Sequence, residues 1–109
     1  DALAVPGDAA TIERRHVELS HALRRYLGRS LDLPATESTT TELLRLLRAR
    51  TPAPVVSGSD EILRACDRVK FAREPVEPAV LDARIGAART LASELERHLR
   101  PPAGSEEAA

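Results

Sequence analysis

The residues best suited to chemistry are three histidines and one cysteine, and their spacing does not assemble a site. His16 and His21 are five residues apart, whereas a pair of zinc ligands on one helix face needs a spacing of about four. His16 falls on an apolar stripe, so we expect a buried histidine whose ring nitrogens are hydrogen-bonded. Cys66 lies on the inner face of a predicted helix, where a small buried apolar residue is the expected role.

Phosphate-binding and nucleophilic motifs are also missing from the sequence. The five glycines are scattered, whereas a phosphate loop needs several glycines within a few residues. Serines and threonines stand mainly at predicted helix caps and turns, where hydrogen bonds with the nearby backbone account for them. We therefore expect a protein that is not an enzyme and that uses no cofactor, metal ion or nucleotide.

The composition of the 109 residues excludes further classes of function. Sixteen basic and 17 acidic residues give a net charge of -1, so no overall positive field attracts the chain to nucleic acid or acidic lipid. One tyrosine and one phenylalanine are too few for a surface that stacks bases. A single cysteine excludes an internal disulfide and a cysteine-based zinc cluster. No apolar run in the sequence reaches the roughly 18 residues of a membrane span.

The spacing of apolar residues predicts an all-α fold. We expect a small bundle of four helices near residues 8–28, 40–50, 59–72 and 78–100. Steps of three and four residues between apolar positions indicate the first and the last helix. Asp8 is the expected N-cap of the first helix, and Gly28 is its expected end. Thr39 and Glu42 have the spacing of a capping box at the start of the second helix.

The helices define one domain over residues 8–100, preceded by a linker at residues 1–7 and followed by a disordered tail at residues 101–109. The first and the fourth helix are the longest, and we expect them to form an antiparallel frame. Four leucines within five positions predict that the second helix is the most enclosed.

The connector before the third helix is expected to be long and partly extended. Thr51-Pro-Ala-Pro is a break, because proline lacks the amide hydrogen and restricts the residue before it. Val55 and Val56 then form a short extended piece, and Ser57 or Ser59 caps the helix that follows.

The C-terminal part of the third helix contains the least ordinary residues of the chain. At about 100° per residue, Phe71 lies on the side opposite Ile62. We expect Phe71 to turn inward where the helix ends, and the alternatives are a second packed surface or a partner contact. Asp67 and Lys70, three residues apart, are expected to pair. The candidate partner surface comprises Arg24, Arg25, Tyr26, Asp67, Lys70, Phe71 and Arg73.

Four short segments, taken in order, resemble one bacterial family. They are Gly7-Asp8 and residues 22–27 (ALRRYL), 40–44 (TTELL) and 66–73 (CDRVKFAR). Together they are similar to the C-terminal cytoplasmic domain of BatD-like oxygen-tolerance membrane proteins. The genes of that family neighbour those of MoxR-type AAA+ ATPases and of proteins with von Willebrand factor A domains. The resemblance implies a domain that follows a transmembrane segment on the cytoplasmic face of the inner membrane, and it implies no catalytic residues.

We therefore expect a non-catalytic docking domain of a membrane-anchored bacterial protein. Its partner would be a protein, such as the MoxR-type ATPase or a von Willebrand factor A-domain protein. The alternatives are a freestanding helical adaptor and a nucleic-acid-binding variant of the helix-turn-helix. Ten basic and six acidic residues between positions 24 and 73 favour the last alternative. A connector from Thr51 to Ser59 would be longer than the three or four residues typical of that motif.

Overall fold

A computed structural model describes residues 8–100 as four α-helices and one short 3₁₀ turn. The elements are α1 (Ala9–Leu31), the 3₁₀ turn (Ala35–Glu37), α2 (Thr40–Arg48), α3 (Ala53–Ala72) and α4 (Pro78–Leu99). Residues 8–100 contain no strand. The prediction of a small all-α bundle is confirmed. The predicted linker at residues 1–7 and the predicted tail at residues 101–109 lie outside the described residues.

The N-termini of α1 and α2 are capped by side chains that sequence spacing identifies. The Asp8 carboxylate accepts a hydrogen bond from the amide of Thr11 at 3.2 Å. At α2, the Thr39 hydroxyl accepts from the amide of Glu42 at 3.1 Å, and the Glu42 carboxylate accepts from the amide of Thr39 at 2.9 Å. Each bond satisfies an amide that the first turn of a helix leaves without a partner. Both predicted caps are confirmed.

Gly28 marks a close backbone contact instead of the end of α1. The helix continues to Leu31, and Asp32, with φ of 57°, is the left-handed residue that stops it. A Cβ atom at position 28 would lie 2.9 Å from the carbonyl oxygen of Leu33 and 3.3 Å from the Cβ of Ala35. The glycine therefore lets the connector fold back against the last turn of α1. The prediction that Gly28 ends the helix was wrong, because glycine serves close approach as well as left-handed turns.

Alanine at Gly28 and at Gly86 is expected to change stability in opposite directions. A Cβ at position 86 would meet nothing within 4 Å. Gly86→Ala should therefore raise the free energy of unfolding by about 0.5–1 kcal/mol, the gain in helix propensity. Gly28→Ala pushes against a backbone oxygen and should lower it by about 1–3 kcal/mol. Urea denaturation of both variants measures the difference, and a stabilised Gly28→Ala protein would contradict the close contact.

The helix α3 begins at Ala53, whereas the sequence predicts a start near residue 59. Pro54 lies in its first turn, where backbone amides have no hydrogen-bond acceptor within the helix, so that the missing amide hydrogen of proline costs nothing. Val55 and Val56 are helical, not extended. Ser59, one of two expected caps, is buried inside the helix, and its hydroxyl has no hydrogen-bond partner among the described residues. The predicted break before α3 is therefore present, but it ends at residue 52, because the first turn of a helix tolerates the second proline.

The helix α3 is the centre of the bundle, because it packs against α1, α2 and α4. Its buried residues are Val55, Ser59, Ile62, Leu63, Ala65, Cys66 and Val69. The short helix α2 buries four of its nine residues, the largest share of any helix, and it packs mainly on α3. The predicted enclosure of α2 is thus confirmed, although α3 is the helix that all the others contact.

The helices α1 and α4 run parallel, and α3 runs in the opposite direction. Arg84 of α4 donates to the ring of His16 at 2.9 Å, and the hydroxyl of Tyr26 donates to the carbonyl of Ala92 at 3.0 Å. Higher residue numbers on α1 therefore meet higher numbers on α4. The predicted antiparallel frame was wrong. The helix α2 is too short to run the full length of the bundle. The long helices therefore reverse direction twice, between α1 and α3 and between α3 and α4, which leaves α1 and α4 parallel.

Candidate functional site

The guanidinium of Arg24 joins α1 to the connector that follows it and to α2. It donates hydrogen bonds to the carbonyls of Ala35 at 3.1 Å and Ser38 at 2.7 Å, and to the hydroxyl of Thr40 at 2.7 Å. Thr40 in turn donates to the carboxylate of Asp67 on α3 at 2.8 Å. Arginine suits this position because its planar fork presents several donors in fixed directions. Arg24 and Asp67 therefore hold α1, the connector, α2 and α3 together.

The same residues line a groove of about 340 Å³ between α1, the connector and α3. Lys70 and Phe71 form its outer side, and the Lys70 ammonium lies 5.0 Å from the centroid of the Phe71 ring. That distance is within the range of a cation–π contact. Asp67 was expected to pair with Lys70 but bonds to Thr40 instead. That prediction was wrong, and Lys70 has no carboxylate partner within residues 8–100.

Phe71 is 72% exposed, more than any other large apolar side chain in the described part of the chain. The prediction that Phe71 turns inward was wrong. The helix α3 stays regular to Ala72, so the ring remains on the face opposite the buried Ile62. Of the two alternatives, packing against a second surface of the domain does not occur. A contact with a partner stays a prediction.

Three members of the candidate partner surface lie away from this groove. Arg25 is exposed and lines a separate cleft with Arg29. Arg73 extends towards the start of α1, where its guanidinium lies 3.5 Å from the carboxylate of Glu13. Such exposed pairs contribute little to stability. The structure therefore brings Arg24, Asp67, Lys70 and Phe71 together in one groove, which Arg25, Tyr26 and Arg73 do not line.

Tyr26 belongs to the contact between α1 and α4. Its hydroxyl donates to the carbonyl of Ala92 and lies 3.2 Å from the carboxylate of Glu96. Partial burial raises the pKa of Tyr26, and the negative charge of Glu96 raises it further, although a hydrogen bond with Ser30 acts in the opposite direction. The expectation that Tyr26 extends the surface around Phe71 was wrong, because α4 covers this side of α1.

Sequence reasoning missed the polar residues that complete the groove. These are Ser20 and His21 on α1, and Thr36, Ser38, Thr39 and Thr40 in the connector and at the start of α2. The capping box located Thr39 at a helix end. Helical periodicity does not show where the connector crosses α1. The sequence therefore could not predict that these residues lie in the same groove as Phe71.

The buried cysteine and the buried histidine have environments that suit structural rather than catalytic roles. Burial raises the pKa of the Cys66 thiol to about 11, with a smaller opposite effect from the charge of Arg84. A thiol that stays protonated is a poor nucleophile. His16 is fully buried, and its Nδ1 donates to the carbonyl of Ile12 at 2.8 Å, which leaves Nε2 to accept from Arg84. The expected roles of both residues are confirmed. Residues 8–100 contain no cluster of three side chains able to hold a metal ion.

The connector between α2 and α3 spans only residues 49–52. The connector is therefore not too long for a helix-turn-helix, and the prediction of a longer one was wrong. The second and third turns of α3, beside the N-terminal turn that would enter the DNA groove in that motif, carry Asp60 and the exposed Glu61. Asp60 pairs with Arg64 at 2.7 Å. Carboxylates at this position repel phosphates and disfavour the nucleic-acid alternative.

The fold defines this chain as a small all-α domain in which α2 caps a bundle of three longer helices. Comparison with family models, with curated proteins and with solved structures finds no match for it. The similarity to BatD-like proteins therefore stays a prediction that rests on the four segments quoted above. None of the helices within residues 8–100 is long and apolar enough to cross a bilayer.

Proposed function

We propose that this chain is a non-catalytic docking domain that binds a protein partner in the groove beside Phe71. The observation that carries the proposal is the 72% exposure of the Phe71 ring. A large aromatic side chain at the edge of a groove is typical of the residues that contribute most to protein interfaces. The chain has one phenylalanine and one tyrosine, and the tyrosine, Tyr26, is half-buried and hydrogen-bonds to α4.

The charges around the groove favour a partner segment with an apolar side chain next to a carboxylate. Asp67 already accepts a hydrogen bond from Thr40, and Arg24 is engaged with the connector. The ammonium of Lys70 has no carboxylate partner within residues 8–100. An acidic group of the partner would pair with Lys70 while its apolar neighbour covers Phe71.

The resemblance to BatD-like proteins supplies a candidate for that partner. In this proposal the domain is tethered to the inner membrane through a segment before Asp1, and it presents the groove to the cytoplasm. The MoxR-type ATPase of the family is the first partner to test, and a von Willebrand factor A-domain protein is the second. A freestanding adaptor would use the same groove, so the gene sequence upstream of Asp1 distinguishes the two versions: the tether requires a transmembrane segment there.

Substitution of Phe71 by alanine is expected to abolish docking without unfolding the domain. The ring buries little area, so the melting temperature should stay close to that of the parent chain. Binding of the purified MoxR-type ATPase to the 109-residue chain should weaken at least about tenfold, or about 1.4 kcal/mol. Lys70→Glu should weaken it to a similar extent, because it repels the partner's carboxylate.

A matched control is Leu99→Ala, which removes an apolar side chain that is 45% exposed and lies outside the groove. This variant should bind as the parent chain does. Biolayer interferometry with all three variants gives the comparison. Undiminished binding by a folded Phe71→Ala protein would show that the groove does not hold the ATPase.

A further inference from the structure

A second groove, of about 220 Å³, runs between the parallel helices α1 and α4 and is lined mainly by apolar side chains. It contains Leu19, Ala22 and Tyr26 of α1 and Ile85, Ala88 and Ala92 of α4. The apolar spacing of α4 predicts that its three residues point into the core, but they are only half-buried. The core of α4 is instead centred on Leu91 and Leu95. This face is separate from the groove beside Phe71.

Charged side chains lie beyond both ends of the apolar groove, with a cation on α1 and an anion on α4 at each end. Two sets of contacts show which residues of α1 and α4 lie at the same height along the bundle, here called level. They join His16 to Arg84, and Tyr26 to Ala92 and Glu96. Arg15 is level with Asp82, and Arg29 is level with Glu96. All four of these side chains are exposed, and none forms an ion pair within the described residues.

Two symmetric arrangements would place a second copy of the chain on this face. If the twofold axis lies in the interface and perpendicular to the helices, α1 of one copy faces α1 of the other in the antiparallel direction, and α4 likewise faces α4. Arg15 then meets Arg29 of the second copy, Asp82 meets Glu96, and both contacts join like charges. With the axis along the helices, α1 of one copy faces α4 of the other at the same level. Arg15 then meets Asp82, and Arg29 meets Glu96. Only this second arrangement is complementary in charge.

We propose that a second copy of this chain occupies the groove between α1 and α4, with the twofold axis along the helices. The exposed Ala22 and the half-buried Ala88 and Ala92 permit close approach of the two copies. Two helices about 33 Å long, side by side at about 10 Å, present roughly 660 Å². This is somewhat less than the roughly 800 Å² per partner of an ordinary stable interface, so a dimer of about micromolar affinity is expected.

Sedimentation velocity of the 109-residue chain between about 1 μM and about 1 mM tests the proposal. The mass should rise from that of a monomer to that of a dimer. Ala22→Arg places a cation in the groove, level with Arg89 of the second copy, and should raise the dimer Kd at least about tenfold, with an unchanged circular dichroism spectrum. Ala87→Arg, at an exposed alanine of α4 that does not line the groove, is the matched control. A chain that stays monomeric at every concentration, or a dimer that tolerates Ala22→Arg, would overturn the proposal.

Charge reversal tests the direction of the axis. Arg15→Asp should weaken the dimer, as should Asp82→Arg, and the double variant should regain most of the parent affinity. If the axis ran across the helices, Arg15→Asp would face Arg29 and strengthen the dimer, which would overturn the arrangement. Phe71→Ala should leave the dimer unchanged, so this proposal and the docking function fail independently.

Discussion

Replacing Arg24 by alanine lowers the free energy of unfolding by about 2–4 kcal/mol, because hydrogen bonds to a charged group are among the strongest in proteins. The carbonyls of Ala35 and Ser38 and the hydroxyl of Thr40 all lose a donor. The connector and the start of α2 are then no longer held against α1. Urea denaturation followed by circular dichroism measures the loss.

The adjacent arginine provides the control for this prediction. Arg25 is exposed, so Arg25→Ala should change stability by less than about 0.5 kcal/mol. Arg24→Lys should recover only part of the loss, since an ammonium cannot reach several acceptors in the fixed directions of a guanidinium. Equal stability of Arg24→Ala and Arg25→Ala would mean that the network contributes nothing.

The second large effect is expected at His16. The imidazole is fully buried and is hydrogen-bonded at both nitrogens. His16→Ala leaves a cavity and removes the acceptor of Arg84, and it should lower the free energy of unfolding by about 2–4 kcal/mol. His16→Leu restores most of the volume but not the hydrogen bonds, so it should recover about half of the loss.

The exposed His21 on the same helix is the matched control, and His21→Ala should leave the melting temperature nearly unchanged. Thermal denaturation of the three variants gives the comparison. A melting temperature of His16→Ala that equals that of His21→Ala would contradict the packing of α1 against α4 at this point.

Local signals in the sequence were sufficient to predict the helices but not all of their ends. The capping box of Thr39 and Glu42 depends on residues three positions apart, so spacing alone identifies it. Gly28 and Pro54 were misjudged because each residue type has two uses that only the neighbouring elements distinguish. Glycine ends a helix or admits a close neighbour, and proline breaks a helix or begins one.

The direction of the helices and the position of the rings depend on distant residues. Apolar periodicity is the same for a parallel and an antiparallel helix, so the sequence did not show that α1 and α4 run together. The placement of Tyr26 follows from that direction, because only a parallel α4 brings Ala92 to its hydroxyl. For Phe71, the helical angle of about 180° from Ile62 was the better guide. The expectation of burial relied on the average behaviour of phenylalanine.

The parallel course of α1 and α4 determines how the domain would transmit a mechanical load. The chain enters at Asp8 and leaves at Arg100 on opposite poles, separated by roughly the 33 Å length of a 22-residue helix. In an up-and-down bundle of four equal helices the two ends would share one pole, and a pull would peel the helices apart one at a time. Here tension between the two ends acts along the helix axes. Extension would therefore require the packed rows of side chains between α1, α3 and α4 to slide past one another.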